Sequence, residues 1–165
     1  MLENTPSASA DALRAALSEF ATGVTIVTTT QADGTPVGLT VNSFNAVSLT
    51  PPLVLWSLDK SSRTIDAFTA NDCFAVHILA ADQEALAMRF ASRDQDRFAG
   101  LDTTAGMGRA PLIPGALACL QCRVHQQIEA GDHIIFIGWV STVTTATNAT
   151  TQPALGYHRR RFLTL

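Results

Sequence analysis

The sequence predicts a mainly β domain, with seven or so antiparallel strands in a closed or nearly closed barrel and three helices flanking it or plugging its ends. Three observations carry that prediction. Short runs rich in β-branched and aromatic residues recur along the chain, among them "VTIVTTT", "LVLWSL" and "CFAVHIL". Turn dipeptides, Asp33-Gly34 and Gly131-Asp132, stand between successive runs, as antiparallel neighbours require. Only three segments space their apolar residues helically, and no internal repeat is present. The chain of 165 residues has no linker-like stretch, so one domain is expected, with residues 1–8 as a flexible tail.

Taken in order, Ser9 to Ala21 reads as an amphipathic helix. Ser9 caps it, Leu13, Leu17 and Phe20 share one face, and Gly23 can end it. "VTIVTTT" (24–30) is a strand by its β-branched content, Asp33-Gly34 turns the chain, and "PVGLTVNSF" (36–44) returns beside it. "NAVSL" (45–49) and "LVLWSL" (53–58) are two more strands. Thr50-Pro51-Pro52 separates them, because proline cannot donate to a ladder. A helix is expected from near Ser62 to Ala70, then the strand "CFAVHIL" (73–79), then a helix capped by Asp82 with Leu86 and Phe90 turned to the core. Residues 92–116 form a long irregular connection, a length that commonly covers a binding site. Two long strands, about 116–128 and 134–145, flank "EAGDH", and "LGYHRRRFLTL" supplies a final short strand.

Composition narrows the function. Charged residues are only 15% of the chain against 47% apolar ones, so a second copy is expected to cover part of the surface as a homodimer. A net charge of −3 offers no footprint for nucleic acid. No run approaches the ~18 apolar residues of a membrane span, so no membrane association is expected. "MLENTPSASADAL" has neither a basic start nor an apolar core, which makes a cytoplasmic location the expectation. Cys119 and Cys122 are spaced as C-x-x-C, but positions three apart on a strand face opposite sides and no second pair follows; two buried thiols are expected. His77 alternates within an apolar strand and reads as a satisfied core imidazole, and His125 as a strand residue without a special role. Phosphate-binding, metalloprotease and serine-hydrolase motifs are absent, and Gly106-x-Gly108 lacks the third glycine of a dinucleotide fingerprint.

One stretch is unusual for either a core strand or a loop: "GLTVNSFNAVSLTPPLVLWSLDKSSRT", 38–64. A planar heteroaromatic ligand lying on strands needs amides and hydroxyls for its edge and an apolar floor for its rings. Thr40, Asn42, Ser43 and Ser48, beside Val47 and Leu58, offer that mixture; the same hydroxyls could instead bond their own backbone. Ser61-Ser62-Arg63-Thr64 then leads into the expected helix, with Ser62 as its cap. Hydroxyls, orphan amides and the cations Lys60 and Arg63 there suit a phosphate, or else form a plain solvated cap.

"FATGVTIVTT", "GLTVNSFNAVSLTPPLVLWSL", "FAVHIL", "RFAS" and "EAGDHIIFIGWV" together resemble, in order and spacing, the short-chain flavin reductases, from about Leu13 to Phe162. These are the NAD(P)H-dependent partners of two-component flavin monooxygenases. The resemblance implies a split antiparallel β-barrel of the FMN-binding type, forming a homodimer that binds FMN or FAD near the subunit interface. It implies NADH or NADPH as reductant and a flavin-dependent monooxygenase component as recipient of the reduced flavin.

Carried over by motif, Thr40, Val41, Asn42 and Ser43 would line the isoalloxazine, with Val47, Ser48, Ser57 and Leu58 completing that wall. Ser61, Ser62 and Thr64 would hold phosphate, and Phe90, Ala91 and Ser92 would contact the flavin tail. His133, in Gly131-Asp132-His133, matches the histidine that positions the nicotinamide, and Tyr157 and His158 lie where the C-terminal segment approaches the nucleotide. Transfer of hydride between nicotinamide and flavin needs little acid–base chemistry from protein, which suits a chain with no evident nucleophile or carboxylate pair. A flavin carrier, or a related barrel acting on another acceptor, is the competing reading.

Overall fold

The computed structural model describes residues 7–165, so most of the tail expected over 1–8 lies outside the described residues. Helix α1 (Ala10–Ser18) starts as expected, with the Ser9 hydroxyl accepting from the Ala12 N–H at 3.2 Å. It stops at Glu19, short of Gly23, because Thr22 and Gly23 pair instead with Tyr157 and Gly156 of the C-terminal segment. Its apolar face buries nothing: Leu13 and Leu17 are 51% and 62% exposed.

The strands are β1 (Thr22–Gly23), β2 (Thr25–Thr30), β3 (Pro36–Val41), β4 (Asn45–Leu49), β5 (Pro52–Asp59) and β6 (Cys73–Ile78). They are followed by β7 (Thr104–Ala105), β8 (Pro111–Leu112), β9 (Ala118–Ala130), β10 (His133–Thr145), β11 (Leu155–His158) and β12 (Arg161–Thr164). Seven of them form one antiparallel sheet in the order β3-β2-β6-β9-β10-β5-β4. Its two edges, β3 and β4, are separated in sequence only by Asn42, Ser43 and Phe44. Laid flat, seven strands would hold those edges roughly 29 Å apart at ~4.8 Å per step. The chain from Val41 to Asn45 can reach only about 14 Å. The sheet must therefore curl until its edges meet, giving the split barrel anticipated above. Ser43 closes the seam, accepting from the Ser57 N–H at 3.0 Å and donating to the Ser57 carbonyl at 3.2 Å.

Inside the curl, Trp56 is fully buried, stacked on Phe136 (4.7 Å, 13°) and edge-on to Phe68 and Phe74. A second cluster joins Val24, Ile26, Leu79, Ala87 and Phe90. Strand β2 is buried along its whole length, and its hydroxyls bond backbone: Thr25 to Val41, Thr28 to Pro111, Thr29 to Cys73 and Thr30 to Gly108. Hydroxyl-rich sequence here serves the fold. His77 is the core imidazole expected, bonded at both nitrogens. Cys119 and Cys122 are unpaired, and burial pushes their thiols up to about 11 and about 12, so neither ionises near neutral pH.

Three expectations are corrected. Helix α2 (Ile65–Ala70) begins after Thr64, because Ser62 is used in the preceding turn: its carbonyl accepts from Ile65 and its hydroxyl from the Thr64 N–H. Asp82 does not cap helix α3 (Glu84–Ala91). A 3₁₀ turn precedes the helix, and the Asp82 carboxylate accepts from Gln152. The C-terminal segment forms two strands, β11 and β12, joined by an Arg159-Arg160 turn with both residues at positive φ. No helix among the described residues is long and apolar enough to cross a membrane.

Candidate functional site

The seam where β3 meets β4 and β5 opens a cleft of about 760 Å³, within the ~300–1,000 Å³ usual for small-molecule sites. Val41, Leu58 and Phe90 are almost fully buried and supply its apolar floor. Thr40, Asn42, Ser43 and Ser57 form its polar wall, although the Thr40 hydroxyl already donates to the Ala87 carbonyl at 2.5 Å. Ser61, Ser62 and Thr64 line it further along, as do Ala91 and His133. An adjoining cavity takes in Ser92 and Tyr157.

Val47, Ser48 and His158 are not brought to the cleft. The β4–β5 register slips between Ala46 and Ser48, and Val47 lies 45% exposed away from the cleft. His158 turns toward Glu19 instead, 4.0 Å from its carboxylate.

The rim around His133 is tied together from three strands. His133 lies opposite Asp59 in the β10–β5 register, and its Nδ1 is 2.7 Å from the Asp132 carboxylate. Nε2 is left without a partner among the described residues. The Lys60 N–H donates to the Asp132 carbonyl at 2.9 Å, which holds the β9–β10 turn against the 59–62 turn. Asp59 and Asp132 both stay below the ordinary carboxylate value. Asp59 accepts from the Ser61 N–H at 2.7 Å, and Asp132 is bonded to His133.

Sequence reasoning missed the cations of the opposite wall, Arg93 and Arg97. Arg97 donates through Nε and Nη2 to the Ser92 carbonyl (3.0 and 2.8 Å) and through Nη1 to Gly38 (2.6 Å). These bonds fold residues 92–98 across the end of β3. Arg63 donates to the Arg93 carbonyl, joining the same wall to the 61–64 turn. Gly38 permits the closure: a Cβ there would lie 2.8 Å from Phe90 and 3.1 Å from Phe98. The length of the 92–116 connection was the only signal, since Arg97 and Gly38 are 59 positions apart.

Residues 17–165 match the family described as a flavin reductase like domain. The chain belongs to the flavin reductase-like family. It is 50% identical over 127 residues to the NADH-dependent FMN reductase SmoA of Agrobacterium fabrum, covering 77% of this chain and 72% of that one. It is 43% identical over 131 residues to HsaB of Rhodococcus jostii, the reductase subunit of a flavin-dependent monooxygenase, covering 79% and 67%. An NADH:FAD oxidoreductase of Streptomyces globisporus, solved in complex with NAD and FAD fragments, superposes with a TM-score of 0.84 at 41% identity, covering 92% and 89%. The chain spans about half the length of other curated relatives, 48% of one from Rhizobium meliloti that is 42% identical over 153 residues.

This cleft has the donor set a flavin nucleotide needs. Val41 and Leu58 can carry the rings, while Asn42 and Ser57 offer edge partners and Phe90 an apolar face for the tail. Ser61, Ser62 and Thr64 with Arg63, Arg93 and Arg97 make a hydroxyl- and guanidinium-rich part of the cleft whose chemistry suits a phosphate.

Proposed function

We propose that this protein is an NAD(P)H:flavin oxidoreductase that reduces FMN or FAD and supplies the reduced flavin to a flavin-dependent monooxygenase component. The observation that carries the reading is the seam cleft itself, an apolar floor with an amide and hydroxyl edge and three guanidinium groups along its wall. With both nucleotides bound, nicotinamide C4 supplies the hydride and flavin N5 accepts it. The chain's own residues bind, orient and exclude water. Thr40, Val41, Asn42, Ser43, Ser57 and Leu58 hold the ring; Phe90, Ala91 and Ser92 meet the tail. Tyr157 bounds the nucleotide end. The open cleft suits a flavin that enters and leaves as substrate.

His133 positions the nicotinamide. With Nδ1 engaged by Asp132, its free Nε2 is the group that can bond the nucleotide at the cleft rim. In a steady-state assay, NADH consumption should depend on added FMN or FAD. His133→Ala should raise the nicotinamide KM or lower turnover by roughly five- to tenfold, the worth of one such bond, with flavin affinity little changed. Kinetics equal to wild type would remove His133 from the site, and bound flavin without any NADH oxidation would favour a carrier.

The protein is further proposed to act as a homodimer. Val47 and Leu49 on β4 are 45% and 92% exposed, and Trp139 on β10, across the intervening β5, is 42% exposed, with Val143 further along β10 at 59%. An apolar strip of this kind is typically covered. Sedimentation equilibrium should return twice the chain mass; a single-chain mass at micromolar protein would rule the dimer out.

A further inference from the structure

The charges that face the main cleft are sorted by side. Among the described residues one carboxylate lines it, Asp59 at the end of β5, whereas three guanidinium groups, Arg63, Arg93 and Arg97, line it elsewhere. Asp59 is the register partner of His133, and the Nδ1 of His133 lies 2.7 Å from the Asp132 carboxylate. The rim that holds His133 therefore has an acid on each side, near enough for Asp59 to act on the charge of Asp132.

Asp132 is engaged by His133, but Asp59 is not matched by any cation. Lys60, next to it in the chain, pairs with Glu129 at 3.0 Å, and no lysine or arginine forms an ion pair with Asp59 among the described residues. One Asp59 oxygen accepts from the Ser61 N–H at 2.7 Å. That bond holds the acid below the ordinary carboxylate value, so it is ionised at neutral pH. The cleft is thus polarised, negative at the His133 rim and positive along the guanidinium wall.

Hydride transfer creates charge of both signs. Dihydronicotinamide is neutral; when its C4–H bond breaks, the hydrogen leaves with both electrons and the ring is left a pyridinium cation. The bond that forms is to flavin N5, and the neutral oxidised flavin takes up one negative charge. Fixed charges lying where these appear lower the barrier, because the neutral reactants gain little from them.

We infer that Asp59 assists hydride transfer electrostatically, its carboxylate beside His133 stabilising the positive charge that develops on the nicotinamide ring. The inference rests on the flavin-reductase reading and adds to it a charge preference: the rim favours the oxidised, cationic nicotinamide over an uncharged one.

Calorimetric titration into protein saturated with FMN compares NAD⁺ with the tetrahydro analogue of NADH, whose nicotinamide ring is uncharged and gives up no hydride. Asp59→Asn keeps an oxygen to accept from Ser61 and removes the charge. In this variant NAD⁺ should bind about fivefold more weakly, the size of a screened attraction between unit charges in water. The uncharged analogue and FMN should stay within about twofold. The NAD⁺ loss should shrink as salt is raised, and Asp59→Glu, which keeps the charge, should largely avoid it. Stopped-flow reduction of FMN at saturating NADH should slow by a similar factor in Asp59→Asn. If wild type oxidises NADH with FMN present, but a folded Asp59→Asn binds both nucleotides as wild type does or loses both equally, the inference is overturned and the reductase reading stands. If wild type consumes no NADH with FMN present, both fall.

Discussion

Arg97→Ala is expected to raise the flavin dissociation constant by about 30–100-fold, or ~2–3 kcal/mol, while the protein remains folded. The guanidinium makes three hydrogen bonds to two carbonyls, Ser92 and Gly38, and so pins residues 92–98 over the end of β3. Losing it removes a cation from the cleft wall and releases the segment that carries Arg93 and Gln95 into that wall. The bonds go to backbone atoms in a fixed fork, so Arg97→Lys should recover little of the affinity despite keeping the charge. Quenching of flavin fluorescence, read beside a thermal melt, separates lost binding from lost folding. A dissociation constant within threefold of wild type in a folded Arg97→Ala protein would show that the 92–98 segment does not shape the site.

Acid should cost the protein about 3 kcal/mol through His77 alone. The ring is fully buried, Nε2 accepts from the Ile113 N–H at 3.1 Å, and Nδ1 therefore carries the proton and donates to the Ile26 carbonyl at 3.0 Å. A second proton would set two N–H groups against each other. Burial accordingly pulls the imidazole from its ordinary 6.5 to about 4. Because the folded value is the lower one, the unfolded chain takes up the proton first. Stability from this group is whole above pH 6.5 and declines as pH falls from there to about 4. The depressed carboxylates, Asp33, Asp59, Asp132 and Glu19, lose their contributions only at lower pH, as each is protonated. Denaturant midpoints between pH 7 and 4.5 should therefore fall in wild type. In His77→Gln, which keeps a donor and an acceptor but cannot titrate, they should start lower and stay nearly level. A level wild-type profile would mean that His77 is not the buried neutral base described.

The legible parts of this protein are those whose cause is local. Ser9 caps its helix because a serine ahead of an apolar-periodic run can do so within one turn, and Asp33-Gly34 makes its hairpin from its own dihedral freedom. The polar wall of the cleft was legible for a related reason: Thr40 to Ser43 and Ser57 to Thr64 are two short segments whose composition suits neither core nor loop. The Arg159-Arg160 turn was not, because two arginines at positive φ defy the preference that marks such turns. Nor could Val47 and Ser48 be excluded, since one register slip decides which way a strand residue faces.

By itself, then, the amino-acid order determined a strand-rich chain carrying a polar, ligand-suited stretch at 38–64. Folding in three dimensions decided that the two sheet edges meet across Asn42–Phe44, that Arg93 and Arg97 complete the wall, and that a second cavity adjoins it. The physical reason is reach. Alternation and capping act over a few residues, whereas sheet closure and a guanidinium bonded 59 positions away depend on where the rest of the chain has gone.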